Sequence, residues 1–121
     1  MVEDFSVITP CLNGENFIRQ CVRSIKDQRQ VSIEHIVQDG GSSDASVRFI
    51  DELQFSRLYE ESDCGMYDAV NKGLSKSRGR FLAYLNADEQ YLPGALASVK
   101  EYFAQNPDVD IVVADVLIVG A

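Results

Sequence analysis

The sequence predicts an α/β fold, a mostly parallel central sheet with helices on both faces, and three observations carry that reading. Short β-branched runs alternate with segments of helical periodicity. Each run and the segment after it are joined by a loop rich in Gly, Ser, Asn or Asp. A length of 121 residues supports one compact domain with a hydrophobic core and is too short for two.

Residues 5–9 (FSVIT) form the first predicted strand, the turn-prone PCLNG follows, and Phe17, Cys21, Val22 and Ile25 recur at helical spacing. Residues 33–37 (IEHIV) repeat the pattern, with QDGGSSD as the loop and Val47, Ile50 and Leu53 on a helix that Ser43 or Asp44 would cap. His35, inside this strand, is expected to be structural. A weaker strand at 57–60 (RLYE) leads through ESDCG to Tyr67, Val70 and Leu74 at helical spacing, ending near Gly79. Tyr67 and Tyr84 are expected to pack. Residues 80–85 (RFLAYL) make the fourth strand, NADEQYL its loop, and Pro93 stands where a first helical residue belongs, ahead of Leu96, Val99 and Phe103. The apolar run over 109–120 (VDIVVADVLIVG) predicts one long or two short strands.

Composition narrows the function. The apolar share of 45% and charged share of 25% are those of an ordinary soluble domain, and no window reaches the roughly 20 apolar residues of a membrane span. Met1-Val2-Glu3-Asp4 lacks the basic start and apolar core of a signal peptide, so the expected compartment is the cytoplasm, with peripheral contact at the inner membrane compatible. A net charge of −8 argues against nucleic acid, whose phosphates call for clustered Lys and Arg. Cys11, Cys21 and Cys64 are odd in number and widely spaced, which suits free thiols better than disulfides or a zinc site.

In parallel sheets, ligands bind at the carboxyl ends of the strands. The residues there are Thr9-Pro10-Cys11-Leu12-Asn13, Asp39-Gly40-Gly41, Ser62-Asp63 and Asn86-Ala87-Asp88-Glu89. Three of these four loops place an Asp at the same level, so a shared acidic cleft is expected. Converging carboxylates repel one another unless a divalent cation or hydrogen-bond donors intervene. Oxygen ligands of this kind suit Mg²⁺ or Mn²⁺ shared with a substrate's phosphates. Neither a P-loop nor a dinucleotide-binding glycine fingerprint occurs in the sequence.

Taken in order, SVITPCLNGENFIRQCVRSI, IEHIVQDGGSSD and SDCGMYDAVNKGLSKSRGRFLAYLNADE resemble the family 2 glycosyltransferases, and the resemblance covers nearly the whole chain. It implies a Rossmann-like GT-A nucleotide-binding half and inverting transfer of a sugar from a nucleotide diphosphate, a UDP-sugar being favoured, to a saccharide or lipid-linked acceptor. GMYDAVNKG and NADE are similar to the branch that builds bacterial surface polysaccharides.

Carried over by position, the resemblance implies that Asp39 partners the base, that Pro10 and Leu12 line the same pocket, and that Glu15 lies near the ribose or base. Thr9, Asn13 and Gly40 fall within the same nucleotide-sugar-binding segments. Asp63 takes a further acidic contact, and Asn71 and Lys72 bring an amide and a cation towards the diphosphate or sugar. Asn86, Ala87 and Asp88 occupy the D-x-D signature, with Asp88 as metal ligand for Mn²⁺ or Mg²⁺, Asn86 replacing a carboxylate, and Glu89 in support.

The family's catalytic base follows well beyond its D-x-D, so residues 1–121 are expected to be a single nucleotide-sugar-binding domain of a longer transferase, supplying donor binding without the base. A catalytically inactive nucleotide-binding or scaffold module is the alternative. A phosphoacceptor receiver domain, of similar length and pattern, would need an acidic pair after the first strand and a Lys after the fifth. Here the first strand ends in Thr-Pro-Cys and no Lys follows Lys100.

Overall fold

The computed structural model describes residues 2–120. Strands and helices alternate as β1 (Phe5–Cys11), α1 (Ile18–Lys26), β2 (Ile33–Asp39), α2 (Ser46–Leu53), β3 (Arg57–Glu60), α3 (Met66–Lys76), β4 (Phe81–Tyr84) and α4 (Ala95–Gln105). All strands run parallel, in the order β3-β2-β1-β4. The chain steps outward from β1 to β3 and then returns to the far side of β1. Because crossovers between parallel strands are right-handed, this reversal sends the helices to opposite faces of the sheet.

Both faces of β1 are therefore covered, which is why FSVITPC is buried along its whole length and shows no polar alternation. On one face Phe5, Val7 and Cys11 pack with Val22 and Ile25 of α1, Ile50 of α2 and Leu96 of α4. On the other, Ile8 meets α3 at Gly73, where an added Cβ would stand only 2.5 Å from Ile8 Cγ2. Glycine is what lets α3 seat this close to the sheet. Each apolar side chain so buried contributes about 1.5–3 kcal/mol.

His35 lies in this core, 2% exposed. Its Nε2 is 2.8 Å from the Thr9 hydroxyl oxygen and its Nδ1 is 2.6 Å from that of Ser56. Burial pushes the imidazole down to about 3, so it is a neutral structural group, as its place in the strand predicts.

Four expectations need correction. Residues 109–120 form no strand: Ile111, Val113 and Val116 to Val119 are exposed, and the outer edge of β4 has no neighbour among the described residues. High β-propensity makes no strand without a ladder partner. Pro93 is not the first helical residue, because Gly94 adopts a left-handed φ of 80° and α4 begins after it. Tyr67 and Tyr84 are 74% and 52% exposed, since helical or strand periodicity does not say which faces a neighbour covers. Finally, β1 and β2 run two residues further than expected, to Cys11 and Asp39, which takes Pro10, Cys11 and Asp39 inside the sheet.

Candidate functional site

Strand order reverses beside β1, so the crevice expected of an open parallel sheet lies at the carboxyl ends of β1 and β4. The loops after these two strands touch there. A Cβ on Gly14 would stand 3.2 Å from the Ala87 Cβ.

The loops after β1 and β2 hold one another by reciprocal bonds between side chain and backbone. From the first loop, the N–H groups of Asn13 and Gly14 donate to the Ser42 and Ser46 hydroxyls at 2.8 Å each, and Glu15 N–H donates to Asp44 Oδ2 at 3.1 Å. From the second, Ser43 N–H donates to Asn13 Oδ1 at 2.8 Å and Ala45 N–H to Glu15 Oε2 at 3.1 Å. Asn13 sits at a left-handed φ of 53°, a conformation that Asn tolerates better than most residues. Asp44, expected as a helix cap, accepts Ser46 N–H one residue ahead of the N-cap position, which Ala45 holds.

Asp39 ends β2 and is 1% exposed. Its Oδ2 accepts the N–H groups of Gly41 (3.0 Å) and Ser42 (2.8 Å), and its Oδ1 accepts the Ser42 hydroxyl at 2.5 Å. Three donors converging on one side chain suit a carboxylate, which is acceptor-only when ionised. Asp63 lies against the next residue: a Cβ on Gly40 would fall 2.5 Å from Asp63 Oδ2. Gly40 thus serves by allowing close approach, whereas Gly41 takes the left-handed φ of 111°. Asp63 Oδ1 accepts Gly65 N–H at 3.0 Å, which tightens the turn into α3.

The acidic loop after β4 is held by polar residues four apart, Gln20 and Ser24 on α1 and Gln28 two residues past its end. Gln20 accepts from Gln90, Ser24 Oγ accepts Tyr91 N–H, and Gln28 donates to the Leu92 carbonyl at 2.9 Å while accepting Leu96 N–H at 3.0 Å. Glu89 Oε1 accepts Asn86 N–H at 2.9 Å, and Cys21 Sγ–H donates to the Asn86 carbonyl at 3.5 Å. Burial pushes the Cys21 thiol up to about 12 and raises Cys11 as well, so both are inert fillers. Asn86 Oδ1 is buried with no hydrogen-bond partner among the described residues.

The structure thus brings together Asp39, Gly40 and Asp63, joins Asn13 and Glu15 to the loop after Asp39, and sets Ala87 beside Gly14. Leu12 is 63% exposed at the rim, Asp88 is exposed, and Pro10 is buried. Thr9 is turned into the core, its hydroxyl taken by His35. Asn71 is exposed on α3. The Lys72 ammonium donates to the Ser62 carbonyl at 2.5 Å and pairs with Asp68 at 3.3 Å, bracing the loop that carries Asp63. Cys64 N–H and then Lys72 hold Asp68 below the usual carboxylate range. Sequence reasoning missed Ser42, Ser46, Gln20, Ser24 and Gln28; only the spacing of four along α1 and just past its end carried a signal.

Among the described residues, no three or more His, Cys, Asp or Glu side chains form a cation cage. The corner after β4 carries one exposed carboxylate, Asp88, beside the buried, unpartnered amide oxygen of Asn86. A lone exposed carboxylate suits only a divalent cation that keeps waters and shares the phosphates of a ligand. No helix among the described residues is long and apolar enough to cross a membrane.

Residues 6–119 match the family described as Glycosyl transferase family 2. The minor teichoic acid biosynthesis protein GgaA of Bacillus subtilis is 32% identical over 128 residues, covering 96% of this chain and 28% of GgaA. A PGL/p-HBAD biosynthesis glycosyltransferase of Mycobacterium bovis is 30% identical over 119 residues, covering 93% of this chain and 46% of the relative. S. aureus TarS 1–349 in complex with UDP-GlcNAc shares the fold with a TM-score of 0.78 at 21% identity, over 86% of this chain and 32% of that one. The mannosyltransferase PcManGT from Pyrobaculum calidifontis, in complex with GDP-Man and Mn²⁺, does so with a TM-score of 0.76 at 23% identity, over 86% and 33%. The chain spans less than half the length of these relatives.

Proposed function

The chain belongs to glycosyl transferase family 2, and from that premise we propose that it binds a nucleotide diphosphate sugar, a UDP-sugar by preference, at the carboxyl edge of its GT-A sheet. The observation that carries this reading is the meeting of the loops after β1 and β4 at the strand-order reversal, with Asp39 and Asp63 at the neighbouring strand ends. Asp39 and Leu12 serve the base, and Asp63 serves the nucleotide. The 86–88 loop faces the diphosphate.

The reaction served is inverting displacement at the anomeric carbon, with a saccharide or lipid-linked acceptor. Relatives named for teichoic acid and PGL/p-HBAD biosynthesis support a cell-surface glycan as the acceptor class, assembled on the cytoplasmic side of the membrane. Mn²⁺ or Mg²⁺, held by Asp88 and the donor's phosphates, would neutralise charge on the departing diphosphate. Asp88 and the neutral Asn86 orient that corner, and the clamped loops keep the base end rigid. We assign no catalytic base here, because these residues serve the donor alone.

A thermal-shift series with UDP, GDP and dTDP, each with Mn²⁺ or with chelator, tests the reading. Metal-dependent stabilisation by one nucleotide is expected, and in Asp88→Ala the metal-dependent increment disappears. No stabilisation by any of the three, in a folded sample, would leave the second reading, a catalytically inactive scaffold, which the neutral amide of Asn86 in the D-x-D position favours.

A further inference from the structure

Ser42 joins two parts of the proposed base pocket through one oxygen. Its Oγ accepts Asn13 N–H at 2.8 Å and stands 2.5 Å from Asp39 Oδ1. An N–H can only donate, so the Ser42 hydroxyl proton is directed to the carboxylate. The chain Asn13 N–H to Ser42 O–H to Asp39 is therefore polarised in one sense, and each bond strengthens the next. Asn13 is held in its left-handed conformation at the other end, with its own Oδ1 accepting Ser43 N–H, and the exposed Leu12 is the residue beside it.

We propose that Ser42 is a positioning residue, which presents the Asp39 carboxylate and the Leu12-Asn13 rim as one preorganised jaw for the base of the nucleotide. The proposal rests on the donor-binding reading. Asp39 Oδ2 is taken by two backbone N–H groups, whereas Oδ1 meets the Ser42 hydroxyl. Orientation of Oδ1 is then what a base N–H would read. Without the hydroxyl, Asp39 loses the donor that fixes Oδ1, and Asn13 N–H loses its acceptor. The rim then has to be ordered when ligand binds, which weakens affinity.

The test is calorimetric titration of the 121-residue chain with Mn²⁺ and UDP, and separately with Mn²⁺ and inorganic diphosphate. Ser42→Ala is expected to bind UDP about tenfold more weakly, the scale of one lost hydrogen bond to a charged group. Its affinity for diphosphate, which lacks a base, stays at the wild-type value, and Ser42→Thr, which keeps the hydroxyl, recovers most of the loss. Equal weakening for UDP and diphosphate would mark Ser42 as a general loop brace and overturn the proposal. So would an unchanged UDP affinity in Ser42→Ala while Asp39→Ala is impaired, which leaves the donor site standing. If Asp39→Ala also binds UDP as wild type does, the donor-site reading falls and the proposal with it.

Discussion

Lowering the pH should destabilise this fold well before its carboxylates titrate, through His35 alone. In the unfolded chain the imidazole takes up a proton near its ordinary 6.5, whereas burial holds the folded group down to about 3. The unfolded state therefore binds more protons throughout that window. Stability is fully present above 6.5 and is lost as pH falls. Each unit below 6.5 removes about 1.4 kcal/mol, so between about pH 7 and pH 5 the loss comes to roughly 2 kcal/mol. That is a sizeable part of the ~5–15 kcal/mol that holds a domain together. The chain has one His, so the effect can be isolated. Urea titrations followed by far-ultraviolet circular dichroism at a series of pH values would show it. His35→Gln should be less stable at neutral pH, where Thr9 and Ser56 lose their partner, yet nearly independent of pH over the same range. A wild-type stability constant to within about 0.5 kcal/mol from pH 7 to pH 5 would refute the reasoning, because it would require the buried imidazole to accept its proton as easily as the unfolded one.

Gln28→Ala removes the acceptor for Leu96 N–H, in a residue 3% exposed, and the donor for the Leu92 carbonyl. A cost of about 1–3 kcal/mol is expected in urea titration, with Gln28→Glu, which keeps an oxygen for Leu96, intermediate. Gly40→Ala drives a Cβ to 2.5 Å from Asp63 Oδ2 and so displaces that carboxylate. We expect a stability loss of about 1 kcal/mol together with a nucleotide affinity lower by roughly tenfold; calorimetry showing unchanged affinity would separate Asp63 from the site. Gly73→Ala sets a methyl against the stiff, branched Ile8, and a thermal melt should show a loss of about 1–3 kcal/mol without change in nucleotide affinity.

The sheet was legible in the sequence because parallel strands buried on both faces must be apolar throughout. Helices that cover only one side each must in turn repeat at helical spacing. Phe5, Val7, Ile36 and Val37, or Cys21, Val22 and Ile25, could take few other roles. The strand-end acids were legible for a related reason: the carboxyl edge is where an open parallel sheet leaves room for a ligand. What could not be read were partners brought together only by folding. Nothing local couples Ser42 to Asn13, or Gln28 to Leu96, across 29 and 68 residues of chain. The misread apolar run after Pro107 has the same origin, since a strand is a property of two segments and the sequence displays one at a time. Tyr67 shows the limit on helices, because the spacing that marks a helix leaves open which face another element will cover.

The acids at the carboxyl edge are not equivalent, and their bonding sorts them. Asp39 is buried and meets three donors, Asp44 and Glu15 hold one another's loops, and Asp63 turns one oxygen to Gly65 N–H while the other lies over Gly40. These carboxylates are offset by fixed dipoles of the chain itself, which is how a molecule of net charge −8 can gather them at one edge. Asp88 is exposed, and the position two residues before it carries a neutral amide. A second carboxylate at position 86 would add repulsion to a corner that is proposed to receive a diphosphate, whereas the neutral Asn86 amide adds none. With a single carboxylate, such a corner would hold a bare cation weakly and the cation's complex with a diphosphate far better, since the phosphates complete the coordination. On this argument, metal and nucleotide reach the site together, and an Asn86→Asp substitution would raise the affinity for metal alone more than the affinity for the metal-nucleotide pair.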